Sequence, residues 1–147
     1  MDISDNSITD EQAQEIDQLV RHNRLKPITQ DSNKTLSELD LANRFLDAKD
    51  AFVVAEYMKN NGALLFLNIK NNTIDEEGKT AIGNALRQSN VQFLICDEWS
   101  ITQETEELNL SSKELKTADA VLLGGILRNN SVLTSLNVSG NKLNTDA

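Results

Sequence analysis

Few residues in this chain are suited to catalysis or to binding a metal. His22 is the only histidine and Cys96 the only cysteine among 147 residues. His22 falls at the end of a predicted helix beside Arg21 and Arg24, where a cation complements the helix dipole, so we interpret it as structural. Cys96 takes an inward-facing strand position with no predicted base nearby, which indicates a small buried hydrophobe rather than a nucleophile. We therefore expect no enzyme activity, and no Cys/His spacing predicts a metal or cofactor site.

Two other kinds of sequence feature have a structural interpretation. Gly124-Gly125 lies inside a helical pattern rather than after a strand, which argues against a phosphate-binding loop and indicates close helix packing. The acidic pairs Glu76-Glu77 and Glu106-Glu107 are most simply a solvated surface.

Composition limits the classes of partner. The 23 acidic and 14 basic side chains give a net charge of -9, which disfavours nucleic acid or an anionic membrane. The same charge also has a simpler interpretation, which is solubility. Hydrophobic residues make up 39% of the chain but aromatic residues only 4%, so the core must be aliphatic.

The compartment is predicted from three observations. No stretch approaches the roughly 20 apolar residues of a membrane span. The segment 1–5 has neither the basic region nor the apolar run of a secretory signal. A single cysteine excludes an internal disulfide. Together these observations favour a cytoplasmic protein.

The elements that must position any binding residues follow from a repeated spacing of apolar residues and asparagine. Positions 1, 4, 6, 9 and 11 of one frame are filled by Leu64, Leu67, Ile69, Asn72 and Ile74, and again by Leu133, Leu136, Val138, Asn141 and Leu143. Leu36, Leu39, Leu41 and Leu46 match the same frame without the asparagine. Weaker units surround Leu94 and Leu108, and residues 1–8 fit the end of another.

The distances between units predict a strand and a helix in each. Position 4 recurs after 28 residues from Leu39 to Leu67, after 27 to Leu94, and after 28 from Leu108 to Leu136. Apolar residues four apart follow each strand, as in Ile82 and Leu86 of the second unit, and such residues share one helix face.

Two irregularities interrupt the spacing. Residues 25–32 are additional to the regular repeat length. They contain the only proline and are interpreted as an inserted loop. Leu94 and Leu108 are only 14 residues apart, too few for a helix, so this unit is expected to pass straight to the next strand. The missing helix predicts either a notch on the helical side or a local change in curvature.

The string from Leu64 to Asn90 resembles the ribonuclease-inhibitor-like subclass of leucine-rich repeats, and Asn130 to Val138 is more loosely similar to tropomodulin repeats. This resemblance implies an α/β solenoid with parallel strands on the concave face, helices on the convex face, and one middle repeat lacking its helix. It covers a single domain, residues 1–147, with a partial first repeat at 1–24, the inserted loop at 25–32, and repeats at 33–147.

The resemblance also predicts which side chains face the concave surface. Strand alternation places Leu65, Phe66, Phe93 and Ile95 on a face that is otherwise polar. An apolar patch with a polar rim is typical of a binding surface. A one-residue error in the frame would instead turn these side chains into the core, and a loop over the patch would cover it.

Acidic residues surround this predicted patch, among them Glu38, Asp40 and Asp97. They predict a protein or peptide partner with an apolar anchor and basic flanks. Trp99 has two interpretations: it is a second contact residue, or it folds inward to fill the space of the missing helix.

The function expected is a non-enzymatic protein-interaction module that binds on its concave face. One alternative is a GTPase-activating repeat protein, for which Arg44 is the candidate loop arginine. Another is a structural fragment of a longer array, or a self-associating unit. A host-directed effector of an intracellular bacterium is a further hypothesis.

Overall fold

The computed structural model describes residues 9–25 and 36–141, in which short strands alternate with α-helices. The predicted strand at residues 1–8 and nearly all of the predicted inserted loop lie outside the described residues. The single domain of 1–147 therefore stays a prediction. What the described residues form is a mixed α/β fold with parallel strands.

The elements follow the order that the repeated spacing predicts, with one addition. The helices are α1 (Asp10–Arg24), α2 (Ala48–Asn60), α3 (Glu76–Leu86) and α4 (Thr117–Asn129). The strands are β1 (Glu38–Asp40), β2 (Phe66–Asn68), β3 (Phe93–Ile95), β4 (Ser100–Ile101), β5 (Glu107–Asn109) and β6 (Ser135–Asn137). The short strand β4 is the element that the sequence did not predict.

The strands form two sheets. In the first, β1, β2 and β3 are parallel neighbours and β4 pairs antiparallel with β3. In the second, β5 and β6 are parallel. Leu39 pairs with Leu67, and Leu67 with Leu94, so the position-4 leucines stand side by side as the sequence frame predicts.

The core is aliphatic, as the composition predicts, and lies between the strands and the helices. Strand leucines such as Leu39 and Leu67 belong to the same buried cluster as Met58 of α2 and Leu86 of α3. None of the four phenylalanines joins this cluster.

Two asparagines connect neighbouring repeats through the backbone. The amide oxygen of Asn72 accepts hydrogen bonds from the backbone N–H groups of Arg44 and Leu46, at 3.1 and 3.0 Å. Its Nδ2 donates to the carbonyl oxygens of Leu41 and Ile69, both at 2.9 Å. Nδ2 also donates to the carbonyl oxygen of Lys70 at 3.3 Å, so a single half-buried amide bonds five backbone groups in two repeats.

Asn141 makes the equivalent contacts with the turn after β5, one repeat period earlier in the chain. It accepts from Lys113 and Leu115 at 2.9 and 3.0 Å, and donates to Leu110 and Val138 at 2.7 and 2.9 Å. The separations of 28, 26, 31 and 3 residues are identical to those of Asn72. The sequence repeat is therefore also a repeat of hydrogen bonding.

The segment between β3 and β5 contains no helix, as predicted, but its path differs from the prediction. The chain turns back as β4 before it reaches β5, so it does not pass straight to the next parallel strand. The predicted notch on the helical side is absent, because α3 packs directly against α4 as well as α2. Within the described residues the interruption lies in the strand layer, where β5 pairs with β6 alone.

Glycines allow the close approach of α3 and α4. A Cβ on Gly125 would lie 2.6 Å from the carbonyl oxygen of Gly83 and 2.7 Å from Cβ of Leu86. A Cβ on Gly83 would lie 2.5 Å from Val121. The interpretation of Gly124-Gly125 as a packing site is confirmed for Gly125 only, because Gly124 is exposed.

Candidate binding surface

Three side chains form a row on the sheet face opposite the buried leucines. Glu38, Phe66 and Phe93 are paired in register across β1, β2 and β3. Their neighbours Leu39, Leu67 and Leu94 point the other way and are at most 1% exposed. The row is thus on the face that strand alternation assigns to it, and the frame is not displaced by one residue.

The row lines an open pocket of about 470 Å³. Ser37 and Leu65, which directly precede β1 and β2, complete the floor of the pocket. Leu65 is 40% exposed. The pocket therefore brings together four of the predicted site residues: Glu38, Leu65, Phe66 and Phe93.

The remaining wall comes from the turn after β4, which the sequence did not predict. Thr102, Gln103 and Glu104 line the pocket beside Phe93. Phe93 is only 8% exposed, and Phe66 is half-buried, so the apolar surface is more enclosed than the strand pattern alone predicts. The half-length spacing between Leu94 and Leu108 was the one sequence signal of an unusual segment here.

Hydrogen bonds hold this turn in shape. The backbone N–H of Thr102 donates to Oγ1 of Thr105 at 3.0 Å. The two threonine hydroxyls lie 3.1 Å apart, and the backbone N–H of Glu104 donates to Oγ1 of Thr102 at 3.3 Å. The wall of the pocket is consequently an ordered part of the fold.

Three other predicted site residues lie outside the pocket lining. Ile95 is half-buried on the same sheet face, two residues after Phe93 on β3. Asp40 and Asp97 are exposed, but each carboxylate accepts a backbone hydrogen bond, from Ala42 at 3.1 Å and from Asn71 at 2.6 Å respectively. Asp40 thus stabilises the turn after its own strand, whereas Asp97 stabilises the turn after β2.

Trp99 requires a correction, because its side chain is not on the surface. It is 5% exposed and belongs to the aliphatic core cluster. Its carbonyl oxygen accepts hydrogen bonds from the backbone N–H of Cys96 at 3.0 Å and from Sγ of Cys96 at 3.3 Å. The inward-folding interpretation describes Trp99, since the turn into β4 directs the indole toward the core.

Charged side chains lie near Cys96 where α3, the β3–β4 hairpin and α4 meet: Asp119 is buried, Lys79 is half-buried and Glu98 is exposed. Nζ of Lys79 lies 3.4 Å from a carboxylate oxygen of Glu98 and 3.8 Å from Oδ1 of Asp119. Burial lowers the pKa of Lys79, but the carboxylates of Asp119 and Glu98 outweigh it and leave that pKa raised. Burial raises the pKa of the Cys96 thiol to about 12, so it stays protonated at neutral pH and is a poor nucleophile.

Other residues considered for chemistry have structural placements. His22 is exposed on the last turns of α1. Arg44 is half-buried, and its backbone N–H is held by Asn72. Across residues 9–25 and 36–141, no three His, Cys, Asp or Glu side chains are grouped so as to hold a metal ion.

Comparison of the sequence with protein-family models and with curated proteins found no match. Among the described helices, none has the length and apolar character needed to cross a membrane.

Proposed function

We propose that this chain is a leucine-rich-repeat solenoid of the ribonuclease-inhibitor-like kind. The support is the pair of asparagine turns at Asn72 and Asn141, which bond equivalent backbone groups at identical separations. Solenoids present one long face of strands, and such faces commonly serve as binding surfaces.

The function that the geometry supports best is non-enzymatic binding of a protein or peptide on the strand face. The observation that carries this proposal is the open pocket formed by Phe66, Phe93 and Leu65 next to Glu38 and Glu104. Concave sites lined by aromatic side chains with a few polar groups are preferred binding sites. The partner proposed has an apolar anchor for the phenylalanines and basic flanks for the glutamates.

Affinity capture tests this proposal with matched phenylalanine variants. Phe66→Ala should abolish capture of partner proteins that the wild type retains. Phe45 and Phe52 are 81% and 48% exposed and lie outside this pocket. Phe45→Ala and Phe52→Ala therefore serve as controls, because they make the same substitution elsewhere on the surface. Circular dichroism verifies that all variants are folded. Equal capture by wild type and Phe66→Ala would contradict the proposal.

A further inference from the structure

The pocket is a trough that crosses the strands, and its first end is acidic. Glu38, Phe66 and Phe93 occupy the same register position on three successive strands. Because neighbouring strands lie about 4.8 Å apart, Glu38 is about 10 Å from Phe93 across the sheet. The trough thus begins at a carboxylate and continues over two aromatic rings.

Its second end is acidic as well. β4 lies one strand beyond β3, with Leu94 paired to Ile101, and the turn with Glu104 follows β4 directly. One more strand spacing brings the distance from Glu38 to Glu104 to roughly 15 Å. None of the eight residues that line the pocket is basic.

An extended peptide covers these dimensions with fewer residues than a helix does. In an extended chain the side chains of residues i, i+2 and i+4 point to the same side, and they span about 13 Å. A helix places three side chains on one face over a similar span of about 12 Å, but it needs nine residues, i to i+8, to do so. Three same-side residues of an extended segment can therefore reach both glutamates and the rings between them.

We infer that the pocket binds an extended segment of a partner protein with the pattern basic-x-apolar-x-basic. The central apolar side chain packs on Phe66 and Phe93, and the two cations pair with Glu38 and Glu104. This inference rests on the proposed function and specifies the partner for the same site.

Synthetic peptides of equal composition test the pattern. The probe is Lys-Ser-Leu-Ser-Lys with glycine-serine flanks, and the control is Ser-Lys-Leu-Lys-Ser, whose lysines point away from the leucine side. Affinity is measured by fluorescence anisotropy, and the site is located by NMR shifts of the Leu65 methyl groups. We expect the probe to bind about fivefold more tightly than the control, because exposed ion pairs contribute modestly.

Carboxylate variants test the two ends of the trough. Glu38→Gln combined with Glu104→Gln should remove the preference for the probe over the control. Glu107→Gln is the matched variant, since Glu107 is an exposed acid of β5 that does not line the pocket. It should leave the preference intact, apart from a small loss of long-range attraction.

The outcomes separate this inference from the proposed function. Equal affinity of both peptides, or no binding of either, overturns the inference. If Phe66→Ala still abolishes partner capture in that case, the binding function stands and only the extended basic pattern is wrong. A helical peptide with lysines at i and i+8 and leucine at i+4 that outcompetes the probe would likewise overturn the inference.

Discussion

The turn after β2 and the hairpin after β3 hold the same place in the repeat frame but are built from opposite chemistry. After β2, position 9 is Asn72, and its half-buried amide joins two repeats through five backbone hydrogen bonds. After β3, position 9 is Trp99, whose buried indole nitrogen has no hydrogen-bond partner among the described residues. One turn is stabilised by polar contacts and the other by apolar packing.

This difference explains why the strand layer is interrupted after β3, whereas the helix layer is continuous. An asparagine at position 9 bonds to the turn of the preceding repeat, so it maintains the strand spacing from one repeat to the next. Trp99 makes no such bonds; the chain instead folds back as β4, and β5 does not pair with β4 in the described residues. The helix layer stays continuous because α3 and α4 meet at Gly83 and Gly125. The strand layer thus accommodates the irregular repeat.

The largest effect is expected when the apolar packing of the hairpin is removed. Trp99→Ala should lower the free energy of unfolding by about 3–5 kcal/mol, because it leaves a large cavity in the core. Trp99→Phe should lower it by only about 1–2 kcal/mol, since the ring is retained and no hydrogen bond to the indole is lost. Urea denaturation measures both variants. Similar losses for the two would mean that the indole nitrogen has a partner that stabilises the fold.

A comparable but smaller loss is expected in the asparagine turn. Asn72→Ala removes five hydrogen bonds to the backbone and should lower the free energy of unfolding by about 2–4 kcal/mol. Lys70→Ala is the control, because Lys70 is an exposed residue of the same turn and should change stability by less than about 0.5 kcal/mol.

Denaturant midpoints of Asn72→Ala and Asn141→Ala sharpen the comparison further. Both side chains make the same contacts, so similar losses are expected from both variants. If Asn72→Ala were no more destabilised than Lys70→Ala, the amide contacts would not explain the regularity of the repeat.

The regular region could be predicted from the sequence because its signals are local and periodic. The apolar residues at positions 4 and 6 give the register of β1, β2 and β3 to the residue, and alternation then assigns Phe66 and Phe93 to the open face.

The hairpin could not be predicted in the same way. β4 has only two residues and therefore no periodicity. The enclosure of Phe93 by the Thr102–Glu104 turn depends on that strand pairing, so it is a tertiary effect without a local signal. The inward orientation of Trp99 was an open alternative, because a tryptophan in a short loop is compatible with either packing or binding.

The continuous helix layer gives a third prediction with a matched pair of glycines. Gly125→Ala should lower the thermal midpoint and reduce the free energy of unfolding by about 1–3 kcal/mol, because the added methyl group would meet the backbone of Gly83. Gly124→Ala should instead stabilise the protein by about 0.5–1 kcal/mol, since Gly124 is exposed and alanine favours the helix. Stabilisation by both substitutions would show that α3 and α4 are further apart than these contacts require.

The smallest effect at neutral pH concerns the thiol in the hairpin, because its contribution changes only at high pH. Because the pKa of Cys96 is raised in the folded protein to about 12, the unfolded chain releases this proton first. The thiol therefore contributes its stability fully below about pH 9 and loses it as the pH rises toward 12. Between these limits the stability of wild type should fall more steeply with pH than that of Cys96→Ala. Labelling with a disulfide reagent at pH 8 gives an independent readout, and it should be slow in the native protein and fast in urea. Fast labelling of the native protein would mean that the hairpin opens readily and that Trp99 does not keep it closed.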